Sequence, residues 1–331
     1  MRTCNVAIVG ATGLVGRKMI QVLEERQFPV GSLVLLASER SAGKEINFEE
    51  RVHTVEKLTT SSFHEVEVAL FSAGATVSKE FAPHAVRSGA LVIDNSSAFR
   101  MDEHVPLVVP EVNRRAIFHH RGIIANPNCS TIEMVVALKP LHDRWKVKRV
   151  VVATYQSVTG AGQKGLLQLE AEVAKEQAGE RKFPHPIAFN VLPHVDIFHE
   201  DGYTREEHKM IRETKKILGD ETIRVTATCA RVPVWGGHSE AVNVELEHPF
   251  EMTEVREALA NAPGIVVIDD PDKAFYPMPI TAWDRDEVFV GRIRRDETVE
   301  NGLNMWVVSD NLRKGAATNA VQIAEEWLKG H

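Results

Sequence analysis

Asn5-Val-Ala-Ile-Val-Gly10-Ala-Thr-Gly13-Leu-Val-Gly16 decides the fold of the first third of the chain. Residues 5–9 read as a buried strand, glycine follows at once, and residues 13–25 read as a helix. Glycine lets the backbone turn sharply between the two. It also lets a pyrophosphate approach the amides at the helix N-terminus, where the positive end of the helix favours an anion. The GxxGxxG spacing is a variant of the dinucleotide fingerprint and says little as a bare pattern; its place between strand and helix gives it meaning. The alternative is a tight turn that binds nothing.

Outward from this turn, residues 32–37, 68–71, 91–94 and 122–125 are further short apolar runs, and residues 76–88 have helical character. Continuous apolar strands separated by helices are how a parallel sheet covered on both faces reads in sequence. A Rossmann-type, doubly wound α/β domain is expected. After Cys129 the texture changes. Helices are expected over 130 to about 142, 162–177 and 206–218, and strands over 147–155, 223–232, 240–247, 288–294 and 303–309. Several of these strands alternate apolar and polar residues, which predicts a mainly antiparallel sheet with one covered face, hence an α+β second domain. A last helix over 315–329 places Ala316, Ala320, Ile323 and Trp327 on one side, suited to packing on the first domain. The expected domains are 1–127, completed by 311–331, and 128–310. No internal repeat or low-complexity tract interrupts them.

Composition narrows the function classes. The 331 residues suit about two domains, with 44% hydrophobic and 26% charged residues in the range of folded globular proteins. A formal net charge of −7 and the lack of a dense Lys/Arg run argue against a broad nucleic-acid footprint. The longest apolar stretches are strand-sized, far short of the ~20 residues that cross a bilayer. Residue 5 already enters a strand pattern, leaving no room for a signal peptide. Three cysteines (Cys4, Cys129, Cys229) make no disulfide framework, and no Cys-x-x-Cys pair suggests a metal. The expectation is a cytoplasmic protein without a metal, a membrane partner or a nucleic-acid partner.

Which dinucleotide binds is read at the end of the second strand, Ala37-Ser38-Glu39-Arg40-Ser41-Ala42-Gly43-Lys44. An acid there pairs with ribose hydroxyls, whereas an arginine suits a 2′-phosphate. Glu39 is a possible ribose partner, but Arg40 between Ser38 and Ser41, with Lys44 beyond, favours NADP over NAD. A solvated loop of mixed charge is the alternative. The expected cofactor contacts are Gly10, Thr12, Gly13, Leu14 and Val15 in the turn, with Ser38, Arg40, Ser41, Gly74, Thr76 and Asn311.

Asn126-Pro-Asn-Cys129-Ser-Thr-Ile-Glu133 is the most informative short stretch. Ser130-x-x-Glu133 reads as a capping box, placing a helix start beside Cys129. A thiol there feels the positive end of the helix, which favours the thiolate. Cys4 and Cys229 sit in apolar strand patterns and read as core. Spacing alone leaves Cys129 open between nucleophile and buried cysteine.

Five blocks taken together resemble aspartate-β-semialdehyde dehydrogenase: Gly10 to Gly16, Asn95-Ser-Ser-Ala-Phe-Arg100, Asn126-Pro-Asn-Cys-Ser-Thr131, Gln156-Ser-Val-Thr-Gly-Ala-Gly162 and Arg231-x6-His238-Ser-Glu-Ala241. Their order and separation match, so the resemblance spans essentially the whole chain. It implies the reversible, phosphate-dependent interconversion of aspartyl-β-phosphate and aspartate-β-semialdehyde with NADP(H), through a thioacyl enzyme on Cys129. A thioester suits a soft, strong nucleophile and a good leaving group. The lysine, diaminopimelate, threonine, methionine and isoleucine pathways draw on this reaction.

The resemblance also assigns the other residues. His238 corresponds to the acid–base histidine, and Gln156 to the glutamine that orients the reacting group without charge. Arg231 holds the substrate α-carboxylate in its planar fork. Glu206 and Lys209, three apart on one helix face, lie near the substrate amino group and the phosphate, with Glu207 and Lys215 as rival alignments. Arg100 binds phosphate with Asn128 as a neighbouring donor, and Asn311 belongs to a loop that returns to the nicotinamide. Pairing through the second domain is implied, giving a homodimer, with pairing of dimers into tetramers left open. Two rivals remain. In N-acetyl-glutamyl-phosphate reductase the cysteine typically follows Pro-Gly, whereas Asn128 and Ser130 flank it here. A non-catalytic nucleotide-binding paralogue has no need of Cys129, Gln156, Arg231 and His238 together.

Overall fold

The computed structural model describes residues 2–176 and 179–330. The chain divides into two compact units, one of residues 1–127 with 316–331, the other of residues 128–315.

In the first unit, β1 (Cys4–Val9) is followed by α1 (Leu14–Glu25), β2 (Val30–Ala37), a hairpin of β3 (Glu45–Phe48) and β4 (Arg51–Thr54), and β5 (Glu56–Lys57). Then come β6 (Val68–Phe71), α2 (Ala75–Arg87), β7 (Leu91–Asp94), the short α3 (Pro110–Asn113) and β8 (Ile123–Ala125). The six-stranded sheet has the order β5-β2-β1-β6-β7-β8 with every pairing parallel. Strand alternation then divides the core in two. Val6 and Ile8 face a cluster with Met19 and Leu23 of α1, while Ala7 and Val9 face a second cluster with Phe63, Ala82 and Ala85. Both faces are covered, which is why the strands read as continuous apolar runs. The 45–54 hairpin was not foreseen; its strands are four residues each and mostly exposed, and the Ile46/Phe48 alternation is too short to stand out.

The second unit contains α4 (Cys129–Trp145), β9 (Val147–Gln156), α5 (Gln163–Val173), α6 (Arg205–Leu218), β10 (Arg224–Arg231), β11 (His238–Leu246), α7 (Met252–Ala260), β12 (Ile265–Val267), α8 (Pro279–Ala282), β13 (Val288–Asp296) and β14 (Gly302–Ser309). The helix expected over 162–177 spans Gln163–Val173, and Gln177 lies outside the described residues. The sheet order is β10-β9-β11-β14-β13-β12. Its three central pairings are antiparallel, but β10 pairs with β9 and β12 with β13 in parallel. The sheet is therefore mixed. Alternation reports a covered face, not strand direction, and the long connections before β10 and after β12 allow parallel return. Helices α4, α6 and α7 pack on the sheet. After β14 the chain returns to the first unit as α9 (Thr318–Lys329), whose Ala320, Val321, Ile323 and Ala324 complete the Val6/Ile8 cluster. Among the described residues no helix is long and apolar enough to cross a membrane.

Candidate active site

In the first unit the turn after β1 is set by contacts that exclude side chains. Gly10 has φ +89°, and a Cβ on it would stand 2.4 Å from the Ser72 carbonyl oxygen; one on Gly16 would stand 2.2 Å from the Gly10 oxygen. A Cβ on Gly13 would have the Gly10 oxygen at 3.3 Å as its nearest neighbour, and one on Gly74 would stand in open space. Gly13 and Gly74 are the N-caps of α1 and α2, and neither helix has a capping side chain or an acid in its first turn. Two helix N-termini with accessible amides therefore flank the ends of β1 and β6, and these residues fit the phosphates of a dinucleotide. Thr76 is exposed in the first turn of α2. Ser38, Glu39 and Arg40 are exposed on the turn after β2, while Ser41 is buried. Glu39, the candidate ribose partner, pairs with Lys57 at 3.1 Å. Arg100 is buried in this unit, its Nε donating to the Asn126 carbonyl and its Nη2 to the Asn95 carbonyl, both at 3.0 Å.

The second unit gathers its candidate residues at one end of the sheet. Gln156 and Arg231 are register partners at the last positions of parallel β9 and β10, and His238 opens the neighbouring β11. Cys129 is the first residue of α4, one position before the start expected at Ser130, and the cap is different from the expected one. Asn128 is the N-cap, its Oδ1 accepting from the Thr131 amide at 3.1 Å. Ser130 instead accepts from Gln156 Nε2 at 3.0 Å. Glu133 is buried with neither carboxyl oxygen hydrogen-bonded. The Ser130–Glu133 capping box does not form: Asn128, two residues earlier, opens the helix and takes the Thr131 amide, so Ser130 and Glu133 lie inside it.

Asn128 also donates from Nδ2 to Glu206 Oε1 at 2.8 Å, and its main-chain amide donates to Glu213 Oε2 at 2.7 Å. Gln156 Nε2 lies 3.3 Å from the same Glu206 oxygen, and Lys209 donates to Glu206 Oε2 at 3.0 Å and to Asp196 at 2.9 Å. Burial pushes the Glu206 carboxyl up, but Lys209, Asn128 and Arg231 outweigh it and hold the group at about 2. Burial pulls the Lys209 ammonium down, and Glu206 and Asp196 more than restore it. Both stay charged. Glu207, the rival to Glu206, accepts from the Thr204 amide in a capping box and from the Cys229 amide, so it is committed to the fold. Lys215 lies in the last turn of α6.

Arg231 is buried, with Nη1 donating to the Ser157 carbonyl at 2.6 Å and Nε unpartnered. His238 is fully buried. Its Nδ1 accepts from the Ser157 amide at 3.1 Å, and its Nε2 has no partner. Burial and then the Arg231 charge push the imidazole down to about 3. Gly160 faces both residues: a Cβ there would lie 2.7 Å from Arg231 Nη1 and 3.1 Å from His238 Nε2. The missing side chain leaves room where two donors converge. Gly315 likewise packs on Cys129, a Cβ there standing 2.9 Å from the Cys129 Cβ. Asn311 is buried, its Oδ1 accepting from the Gly237 amide and Ser157 Oγ. Burial raises the Cys4 thiol to about 12 and the Cys229 thiol further, so both are inert core groups, as the sequence implied.

Sequence reasoning passed over Glu213, Asp196, Ser157 and Gly160. Glu213 had a signal, since Glu206, Lys209 and Glu213 form one helical stripe at spacings of three and four. Asp196 had none, because it meets Lys209 from an irregular segment. Among the described residues no group of three metal-ligating side chains is assembled.

A nucleotide-type unit joined to a mixed-sheet unit with a cysteine at a helix N-terminus defines a two-domain dehydrogenase, and the comparisons agree. Residues 5–120 match the family described as semialdehyde dehydrogenase, NAD binding domain, and residues 138–314 match semialdehyde dehydrogenase, dimerisation domain. The aspartate-semialdehyde dehydrogenase of Aquifex aeolicus is 59% identical, over 98% of this chain and 98% of its own. A structure of aspartate semialdehyde dehydrogenase II from Vibrio cholerae, complexed with ASA, superposes with a TM-score of 0.96 at 48% identity, covering 99% of both chains. That of the enzyme with NADP from Candida albicans gives a TM-score of 0.77 at 26% identity, covering 98% of both. The chain belongs to the aspartate-semialdehyde dehydrogenase family and is an oxidoreductase of amino-acid biosynthesis, as the five sequence blocks implied.

Proposed function

We propose that the chain catalyses the NADP-dependent, reversible conversion of L-aspartyl-4-phosphate to L-aspartate-4-semialdehyde and phosphate, through a thioacyl intermediate on Cys129. The observation that carries this reading is the assembly at one sheet end of a helix-terminal cysteine, two buried donors over Gly160 and a buried carboxylate–ammonium pair.

Cys129 Sγ attacks the acyl carbon, the carbon–oxygen bond to phosphate breaks, and a thioester forms. Arg231 holds the α-carboxylate, a charge that its buried, incompletely paired guanidinium suits. Glu206, kept ionised, receives the substrate ammonium, and Gln156 orients the reacting carbonyl. His238, as the acid–base residue, acts at the oxygen of the tetrahedral intermediate. Lys209, Arg100 and Asn128 serve the phosphate. NADP, when bound, supplies hydride chemistry; Gly10, Thr12, Gly13, Leu14, Val15, Gly74 and Thr76 seat its phosphates, Ser38, Arg40 and Ser41 its 2′-phosphate, and Asn311 its nicotinamide side. The match to a dimerisation domain supports a homodimer. Residues 1–127 with 311–331 serve as the cofactor domain and 128–310 as the catalytic one. The setting is the cytoplasm and the lysine, diaminopimelate, threonine, methionine and isoleucine pathways.

The test is phosphate-dependent reduction of NADP by aspartate semialdehyde, with intact-mass spectrometry after aspartyl phosphate is added without NADPH. Turnover that needs phosphate and an acyl adduct on Cys129 are expected. Turnover without phosphate, or an adduct elsewhere, overturns the reading.

A further inference from the structure

Two buried acids stand behind the candidate site and have no part in it. Glu133 and Glu240 are fully buried, and none of their four carboxyl oxygens has a hydrogen-bond partner. Glu133 follows Cys129 by four residues on α4, so it lies on the same helix face one turn deeper, about 6 Å along the axis. Glu240 follows His238 by two residues on β11 and shares its face of the sheet, opposite Thr154 of β9. Helix α4 packs on β11, and the Glu240 charge acts on Glu133. An ionised carboxylate in such a place costs far more than a neutral group, and a carboxyl that finds neither cation nor donor takes up a proton instead. The charges that act on Glu133 are Glu240 and Asp310, both negative. Of the other elements packed on α4, β14 and β13 bring Val307 and Val290 alongside Glu240. Helix α6 commits Glu206, with Lys209, and Glu213 to Asn128 at the helix start, and Glu254 of α7 pairs with Arg144 near the helix end.

We propose that Glu133 and Glu240 are positioning residues, a pair of proton-bearing carboxyls that seat α4 on β11 behind Cys129, and that ionisation of the pair in alkali unseats the helix and stops turnover. This rests on the placement of Cys129 as the nucleophile given above. While the pair is neutral, the positive end of α4 is free to favour the thiolate. A carboxylate at position 133 sets a negative charge one turn away and opposes it. A charge there also needs water, which enters by parting α4 from β11. Either effect disarms the sulfur without touching the substrate. The step itself is a proton loss: one O–H bond breaks, its electron pair stays on the carboxyl oxygen, and the proton goes to solvent hydroxide. The other carboxyl then holds its proton more tightly, because a negative neighbour opposes a second ionisation.

The test is infrared spectroscopy of the full chain beside its pH–rate profile. A protonated carboxyl has a carbonyl stretch above the amide band. That stretch is expected at neutral pH in the wild type and reduced in both Glu133→Gln and Glu240→Gln; its absence from the wild type overturns the proposal. As pH rises, the stretch and kcat of the wild type should vanish over the same range. Either one vanishing while the other persists overturns the proposal, and this titration needs no variant to fold. Glu133→Gln, neutral at every pH, should keep kcat near wild type at neutral pH and move the alkaline limb upward by about one pH unit, with the KM for aspartate semialdehyde kept. An unmoved limb, or lost turnover at neutral pH, overturns the positioning role. An acyl adduct away from Cys129 with the stretch present overturns the nucleophile, whereas an adduct on Cys129 with no stretch overturns this proposal alone.

Discussion

At the end of β1 the groups offered to a ligand belong to the main chain: the first-turn amides of α1, exposed because Gly10 and Gly16 let helix and strand meet so closely. Around Gly160 the groups are side chains, Arg231 and His238, held from behind by the Ser157 main chain, beside a separate set in which Lys209 and Asn128 both donate to Glu206. A main-chain site is as stable as its backbone, and damage to it shows as unfolding. A side-chain site sits on a backbone that does not depend on it, and damage to it shows as lost chemistry.

Cys129→Ser should break the second region most severely, lowering turnover by about 10⁴-fold or more while thermal unfolding and NADP affinity stay near wild type. Residual turnover within tenfold of wild type, measured by NADPH formation, would remove Cys129 from the reaction. Gly10→Ala should show the opposite signature. Its φ of +89° and the Ser72 carbonyl 2.4 Å from the new Cβ cost about 3 kcal/mol, roughly 10²-fold in the folding equilibrium. A lowered Tm with weak NADP binding is expected in calorimetry; a normal Tm would show that the turn relaxes.

Gly160→Ala sharpens the comparison, because there a Cβ meets the far ends of side chains rather than backbone. The protein should fold normally, with the KM for aspartate semialdehyde raised about tenfold as Arg231 is displaced. Arg40→Ala belongs to the first region but acts through a side chain, so it should weaken NADP by about tenfold, NAD little, and leave the Tm alone. Isothermal titration with both nucleotides decides it, and equal losses would make Arg40 a loop-stabilising residue.

The smallest effect concerns Glu133 and Glu240, both fully buried, with all four carboxyl oxygens unpartnered. Burial raises both well above the ordinary carboxylate range, and for Glu133 the charges of Glu240 and Asp310 add to it. Groups raised in the folded state stabilise fully below their unfolded pKa, near 4.5, and lose that contribution as pH rises through the folded value. Glu133→Gln should therefore melt above wild type at pH 8, by about 2–4 °C for each kcal/mol of relief, with the gap closing toward pH 4.5. A gap independent of pH would mean that Glu133 is not protonated in the fold.

The same contrast governs what could be read from sequence. Gly10, Gly13 and Gly16 announce themselves because a backbone requirement leaves a residue type at fixed spacing. The strands β1, β2, β6, β7 and β8 and the helices α1 and α2 followed from the apolar runs of the first unit, whereas the short β3, β4 and β5 did not. The direction of β10 and β12 was not legible, since alternation is the same for a parallel and an antiparallel neighbour. Nor was the capping of α4. Ser130 and Glu133 have the capping-box spacing, yet Asn128 takes the position two residues earlier, leaving Ser130 to accept from Gln156 and Glu133 buried. Cys129, Arg231 and His238 stood out through the company of neighbouring blocks, whereas Asp196 and Glu213 matter through partners far away in the chain.

The return of the chain as α9 has a consequence for synthesis on the ribosome. Ala317, Ala320, Val321, Ile323 and Ala324 fill the cluster that begins with Cys4, Val6 and Ile8. Roughly 200 residues separate the end of the first segment, Pro127, from the end of this helix, and at ~5–20 residues per second their translation takes about 10–40 s. Throughout that interval the face of β1 that carries Val6 and Ile8 has α1 against it but lacks the part of its cover that α9 supplies. The nascent first unit is thus a client for whatever shields apolar surface near the exit tunnel, and slow codons anywhere in the second unit lengthen the exposure of the first.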